Sequence, residues 1–283
     1  MAVLTIAREY GTGGKMIGRA VAEQMGYQYK DRKQIREDIG SEGKKWEEQV
    51  GSFDESLPNA WDRYKWHFRG YVTLNQYYIL SYALKDNVVI MGRGGSFLLK
   101  NIPHVLRVRT TAPLDVRIHR VMEFEEIDST AGANYLISKA DQDMAGAVYM
   151  IYGGYWDDPK QYDIVFDTGK QTYDEVVAII KEELLKKDKL RTEEAQKILA
   201  LKVLAAKIKA TIATDPTLYV KSLNLGFKEE GLVKYGLALQ GVVNDKKDIK
   251  RVEEIVKSMA GSVPVDIDLQ YRWHSRFGSW EFK

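Results

Sequence analysis

The first 26 residues constrain this chain most. Val3-Leu4-Thr5-Ile6-Ala7 is a β-branched, apolar run, Gly11-Thr12-Gly13-Gly14 breaks it, and Ile17, Ala20, Val21 and Met25 then recur at helical spacing. The order is strand, glycine turn, helix. Glycine lets the backbone approach a ligand closely, and the free N–H groups and positive dipole end of a helix N-terminus attract an anion. Gly11, Thr12, Gly13, Gly14, Lys15 and Met16 are therefore candidate nucleotide-phosphate contacts, with Lys15 reaching the outer phosphates. The alternative is an ordinary βα turn that holds nothing.

The match to the phosphate-loop pattern G-x-x-x-x-G-K-S/T is partial. Gly14-Lys15 fits, but Glu9 stands at the first glycine and Met16 at the hydroxyl position. That hydroxyl ordinarily ligates Mg²⁺, and a thioether is a poor ligand for so hard a cation. The metal ligands stay unassigned, with Asp31 and Asp54 as the carboxylate candidates, and Asp31 is also counted among the expected nucleotide-binding residues.

At 283 residues the chain is long enough for two domains. Its 42 basic and 40 acidic residues leave a net charge of +2, no electrostatic case for a nucleic-acid binder. It has no cysteine, and its four histidines are scattered without zinc-site spacing. The N-terminus enters a strand at once with no export signature, and no run approaches the roughly 20 apolar residues of a membrane span. A cytoplasmic location is expected.

Further along, Tyr27–Asp31 reads as a second strand and 33–39 as a polar helix. The stretch 41–82 carries Trp46, Trp61 and Trp66, with Tyr71, Leu74, Tyr78 and Tyr82 on one helical face, a stripe that suits core packing or, alternatively, stacking on a base. Val88–Met91 is a short apolar run closed by Gly92-Arg93-Gly94-Gly95, a buried parallel strand ending at a second glycine turn. In open α/β sheets ligands lie beyond the carboxyl ends of the strands, where both turns would sit. Strands at His104–Val108 and Tyr162–Phe166 and helices at Leu114–Glu125 and Tyr173–Leu185 complete the alternation of a parallel sheet covered on both faces.

The charged stretch Lys186–Gln196 lacks an apolar face and is read as a boundary, giving domains 1–188 and 197–272. Beyond it the expected order is α-β-β-α-β: a helix over 198–212, strands over 220–227 and 235–243, a helix over 249–260 and a strand over 263–271. The tail Trp273–Lys283 is aromatic and basic, a candidate for contact with a membrane surface.

Over roughly 1–185 the chain resembles the cytidylate kinase-like family of P-loop nucleoside monophosphate kinases. Ile6-Ala7-Arg8-Glu9-Tyr10-Gly11-Thr12-Gly13-Gly14-Lys15-Met16-Ile17-Gly18-Arg19 looks like that family's first strand and phosphate loop, S-R-E-Y-G-S-G-G-R-E-I-G, with Lys15 for its arginine. Tyr29-Lys30-Asp31 looks like Y-Y-D, Phe53-Asp54-Glu55 like the acidic pair, and Val89-Ile90-Met91-Gly92-Arg93-Gly94 like V-I-x-G-R-G. Gly153, Trp156 and Tyr162-Asp163 continue the match.

The resemblance implies an α/β P-loop kinase domain that transfers the ATP γ-phosphoryl to a pyrimidine nucleoside monophosphate. Gly11–Gly14 and Lys15 would hold the donor phosphates, Arg93 the acceptor phosphate, and Arg117 and Arg120 would act as lid cations. On sequence alone these arginines also suit a solvated surface. In the lid the family reads D-K-x-R-A, whereas this chain has Asp141-Gln142-Asp143-Met144-Ala145 and so lacks two cations. Weakened catalysis follows, since transition-state cations are worth about 10³–10⁵ in rate. Over roughly 199–271 the chain resembles the BON domain, on Ala206-Lys207-Ile208-Lys209-Ala210, Asp215-Pro216, Leu237–Val243 and Ala260-Gly261-Ser262-Val263, which implies a homo-oligomer, a protein partner or a lipid contact. A degenerate nucleotide sensor that signals through this unit is the alternative to an active kinase.

Overall fold

The computed structural model describes residues 1–43, 46, 65–218, 220–228 and 236–272. Phe53-Asp54-Glu55, Trp61 and the tail 273–283 lie outside them.

Strand β1 (Val3–Arg8) leads through the glycine loop into α1 (Gly14–Met25). Then come β2 (Gln28–Lys30), α2 (Arg32–Gly40), α3 (Trp66–Leu84), β3 (Val88–Met91), the short α4 (Gly95–Leu98), β4 (Val105–Thr111), α5 (Leu114–Phe124), α6 (Thr130–Tyr152), β5 (Ile164–Asp167) and α7 (Tyr173–Asp188). Helix starts follow local chemistry: Asp31 with Gln34, and Thr172 with Glu175, form reciprocal capping boxes on α2 and α7.

The five strands pair in parallel in the order β2-β3-β1-β4-β5. Alternate residues of each strand feed opposite faces. Val3, Val88 and Ile90 pack with Ile79, Tyr71 and Leu74 of α3 on one side. Leu4, Ile6, Val89 and Met91 pack with Ile17 and Val21 of α1 and Ile180 of α7 on the other. The aromatic stripe of α3 is mainly core: Tyr71 and Tyr82 are buried, and the Tyr82 hydroxyl donates to Asp38.

The remaining elements are α8 (Glu193–Thr214), β6 (Val220–Lys228), β7 (Gly236–Val243), α9 (Lys246–Ala260) and β8 (Val265–Tyr271). Strand β7 runs antiparallel to β6 and parallel to β8. Helix α8 serves two cores. Leu199 and Ala210 pack with the α3 face of the large sheet, while Ala205, Ile208 and Ile212 pack with Leu237 and Leu239 of β7 and Val252 of α9.

Several sequence expectations shift. The strand expected at His104–Val108 runs Val105–Thr111, and the one expected at Tyr162–Phe166 runs Ile164–Asp167. Helix α6, 23 residues long, is rich in Ala and buries only Ala133, Ile137 and Val148, too sparse a stripe to read by periodicity. The charged stretch 186–196 divides between two helices: Lys186–Asp188 closes α7 and Glu193 opens α8, with Ala195 buried. Asp86 ties this turn to the sheet, accepting from Arg191 at 2.6 Å and from Gln196 at 2.9 Å.

Candidate nucleotide-binding site

Both glycine turns lie at the carboxyl ends of adjacent strands, β1 and β3, paired in register Ile6 to Met91. Gly11 (φ 84°) and Gly13 (φ 76°) take the left-handed conformation, and Gly13 caps α1. At Gly13 glycine is required twice over: a Cβ would be strained there and would collide with the Tyr173 ring. The first helical hydrogen bonds run from Met16 and Ile17 to the Gly13 carbonyl, at 2.9 and 3.1 Å. The amides of Gly14 and Lys15 precede them and stand at the positive end of the helix.

The residue that breaks the pattern also fixes the loop. Glu9 accepts from the buried Arg109 at 2.9 Å and lies 3.8 Å from Arg117 Nε. Arg109 also donates to the Trp156 carbonyl at 2.6 Å and lies over the Trp156 ring, 4.1 Å from its centroid. Arg117 donates to Asp141 at 2.5 Å, and Asp141 accepts from the Tyr10 amide at 2.9 Å. Thr12 is fully buried, donates to the Glu9 carbonyl at 2.8 Å and contacts the Thr110 hydroxyl at 2.8 Å. Thr168 donates to the Thr12 carbonyl at 2.9 Å, and Arg120 in turn donates to the Thr168 hydroxyl and carbonyl at 3.0 and 2.8 Å. The expected lid cations Arg117 and Arg120 are thus engaged in holding the loop from either side.

Two spaces with Arg8 and Arg32 in common open, one beside Lys15 and one beside Gly92 and Gly94. One, of about 770 Å³, is lined by Arg8, Lys15, Tyr29, Asp31, Arg32 and Arg36. The other, of about 370 Å³, is lined by Arg8, Arg32, Tyr71, Asn75, Arg93 and Tyr152 among others. Arg8 and Arg32 belong to both, so cations run from Lys15 to Arg93 along the groove. Burial lowers the Arg8 pKa, Tyr29 and Asp31 oppose this, and Arg93 and Arg32 add to it. A bound anion would relieve that crowding. Lys15 and Met16 are exposed, and Asp31 caps α2, accepting from the Lys33 amide at 2.8 Å.

Arg93, at φ 56°, donates to the Tyr71 hydroxyl at 3.0 Å, and its carbonyl accepts from Tyr152 at 3.1 Å. Next to it Asn75 is buried, and its Oδ1 has no hydrogen-bond partner among the described residues. Sequence reasoning missed Arg8, Arg32 and Asn75 as site residues. A signal existed for Arg8, which ends β1 as Arg93 follows β3, and for Asn75, a polar residue four positions after Tyr71 on a buried face.

Among the described residues the usual Mg²⁺ positions offer the ion little, while the Asp31 carboxylate lines the groove and Asp54 lies outside the described residues. Met16 presents a thioether, Met91 is buried with its sulfur against Gly18, where a Cβ would lie 2.6 Å from it, and Glu9 and Asp141 are committed to arginines. Among the described residues no three His, Cys, Asp or Glu side chains cluster as a metal site.

A parallel sheet in this order, with a glycine loop between its first strand and first helix, defines an α/β fold of the P-loop kinase type. The sequence profile of the Cytidylate kinase-like family matches residues 3–170, and the chain belongs to that family. It is 34% identical over 101 residues to a cytidylate kinase of Staphylothermus marinus, covering 35% of this chain and 55% of that one. It is 28% identical over 182 residues to an S-adenosylmethionine-dependent nucleotide dehydratase of Lacinutrix mariniflava, covering 62% and 34%. The chain thus spans about half or less of these curated relatives. Among solved structures an uncharacterized protein from Eubacterium ventriosum superposes with a TM-score of 0.51 at 20% identity, covering 65% of this chain and 98% of that one, a likeness of fold. No helix among the described residues is long and apolar enough to cross a membrane.

Proposed function

We propose that this protein binds ATP at Gly11–Lys15 and transfers its γ-phosphoryl to a pyrimidine nucleoside monophosphate seated between Arg93 and Asn75. Asn75 carries the reading. A buried amide oxygen without a partner costs roughly 1–3 kcal/mol, a cost removed when a ligand supplies a donor such as the exocyclic amino group of a cytosine. Tyr71, Tyr152 and Trp156 supply an aromatic wall for a base, and Arg93 offers a planar fork to its phosphate. In the reaction an acceptor phosphate oxygen bonds to the γ-phosphorus as the bond to the bridging oxygen breaks, and ADP leaves. The protein's share is positioning and charge neutralisation by Lys15, Arg8, Arg32 and Arg93.

Arg117 and Arg120, tied to Glu9, Asp141 and Thr168, would act on the donor phosphates only by exchanging those partners. Gln142 is exposed on α6 and Met144 lines the acceptor space, so neither supplies a lid charge. The double variant Gln142→Lys, Met144→Arg is expected to raise kcat at least tenfold, and a variant no faster than the parent places the defect elsewhere. A nucleotide sensor without turnover is the second reading, favoured by the same two positions. In it the C-terminal unit, 197–272, would be a BON-like module that binds a partner or a second copy.

Thermal melting of the full chain with nucleoside di- and triphosphates, with and without Mg²⁺, tests the binding. At 100 times Kd a ligand adds about 2.7 kcal/mol. Lys15→Ala should cut that gain for triphosphates while leaving the ligand-free melting temperature unchanged. Absence of any shift at millimolar nucleotide would refute the proposal.

A further inference from the structure

The space beside Arg93 is cationic on one side and apolar on another. Arg8 and Arg32 line both it and the space beside Lys15. Phe68, Val72 and Ile151 line it and also a cavity of about 200 Å³ that reaches Leu223 of β6. Two helices build this apolar side: Phe68, Val72 and Asn75 recur along one face of α3, and Met144, Ala147 and Ile151 recur along one face of α6.

Asn75 stands at the edge of that surface. Its lining neighbours on α3 are Tyr71 and Val72, one turn earlier, and among the described residues no lining residue of α3 follows it. Val72, Met144, Ala147 and Ile151 each keep partial exposure, apolar surface that a ligand group would cover. A pyrimidine has one apolar edge: N1 carries the sugar, and O2, N3 and the substituent at C4 are polar, so only C5 and C6 present carbon and hydrogen. C5 is bonded to C4. A base whose C4 substituent meets Asn75 therefore brings C5 toward the side chains next to Asn75, and the apolar wall begins there with Val72.

On the reading that this space takes a pyrimidine nucleoside monophosphate, we propose that it selects acceptors alkylated at C5, the substituent lying against Val72, Ala147 and Ile151. Covering one methyl group with apolar surface is worth about a fourfold gain in affinity. Ala147, short between Met144 and Ile151 on the same helix face, leaves the room that the substituent takes. The two sides of the space then read two parts of one molecule, the cations its phosphate and the apolar wall its C5 group.

Calorimetric titration of the full chain with cytidine monophosphate and 5-methylcytidine monophosphate is the test. Uridine monophosphate and 5-methyluridine monophosphate form a second pair, because each ratio isolates the methyl group whatever Asn75 prefers at C4. Methylation should lower Kd about fourfold in whichever pair binds. Val72→Thr keeps the shape of the wall but sets a hydroxyl against the methyl, and should bring the ratio close to one. Ala147→Leu fills the room from the other helix, should make the methylated nucleotide the weaker of its pair, and serves if Val72→Thr does not fold. Equal Kd values within a pair in the parent would overturn the C5 selection while leaving the monophosphate reading in place. A methyl gain that survives both substitutions would likewise overturn it, since the methyl would then lie elsewhere. If no monophosphate of either pair binds, the acceptor reading itself falls and the C5 selection with it.

Discussion

Arg109→Leu should destabilise the protein by about 3–5 kcal/mol, the cost of breaking a buried ion pair while its partner stays in place. Arg109 is 3% exposed, and its guanidinium joins Glu9, the Trp156 carbonyl and the Trp156 ring. Without it Glu9 keeps only the more distant Arg117, and the entry to the glycine loop loses its anchor. Denaturant unfolding should show the loss, and the melting temperature should fall by about 10 °C on the scaling for domains of this size. Arg109→Lys should rescue little, because an ammonium cannot present two donors in a plane. A loss below about 1 kcal/mol in Arg109→Leu would mean that Glu9 is solvated and that the loop is fixed from Thr12 alone.

Asn75→Leu should have opposite effects on folding and binding. In the ligand-free protein it removes an amide whose oxygen has no partner, so the melting temperature should hold or rise. For cytidine monophosphate it removes the group that would receive the base, and affinity should fall by roughly 5–150-fold, the equivalent of about 1–3 kcal/mol. Affinity for ATP should hold, since Lys15 lines the first space and Asn75 the second. Equal monophosphate affinity in parent and variant would remove Asn75 from the acceptor site, and a cooler melting point would show that the amide is satisfied in the fold.

What the sequence disclosed, and what it hid, follows from the range of the interactions. The first strand, its glycine turn and the helix after it rest on local features, β-branched residues, left-handed glycines and an apolar stripe, so they can be read without a partner. The same holds for Val88–Gly95. Residues whose meaning depends on distant neighbours were not legible. Glu9 looks like a defect in the phosphate pattern until Arg109, 100 positions later, is placed beside it. Arg117 and Arg120 carry the same charge as any surface arginine, and only Asp141 and Thr168 show where they are held. Helix α6 was hidden because its small residues leave little periodic contrast, and Asn75 because the aromatic residues around it dominate that helix.

Helix α8, which contributes Leu199 to one core and Ile208 to another, joins the heat responses of the two units. Neither core can melt without stripping one side of the same helix, so a scanning calorimeter should record one endotherm rather than two. A ligand at either end of the molecule then protects both, and the temperature at which the small sheet is lost becomes a gauge of what the glycine loop holds.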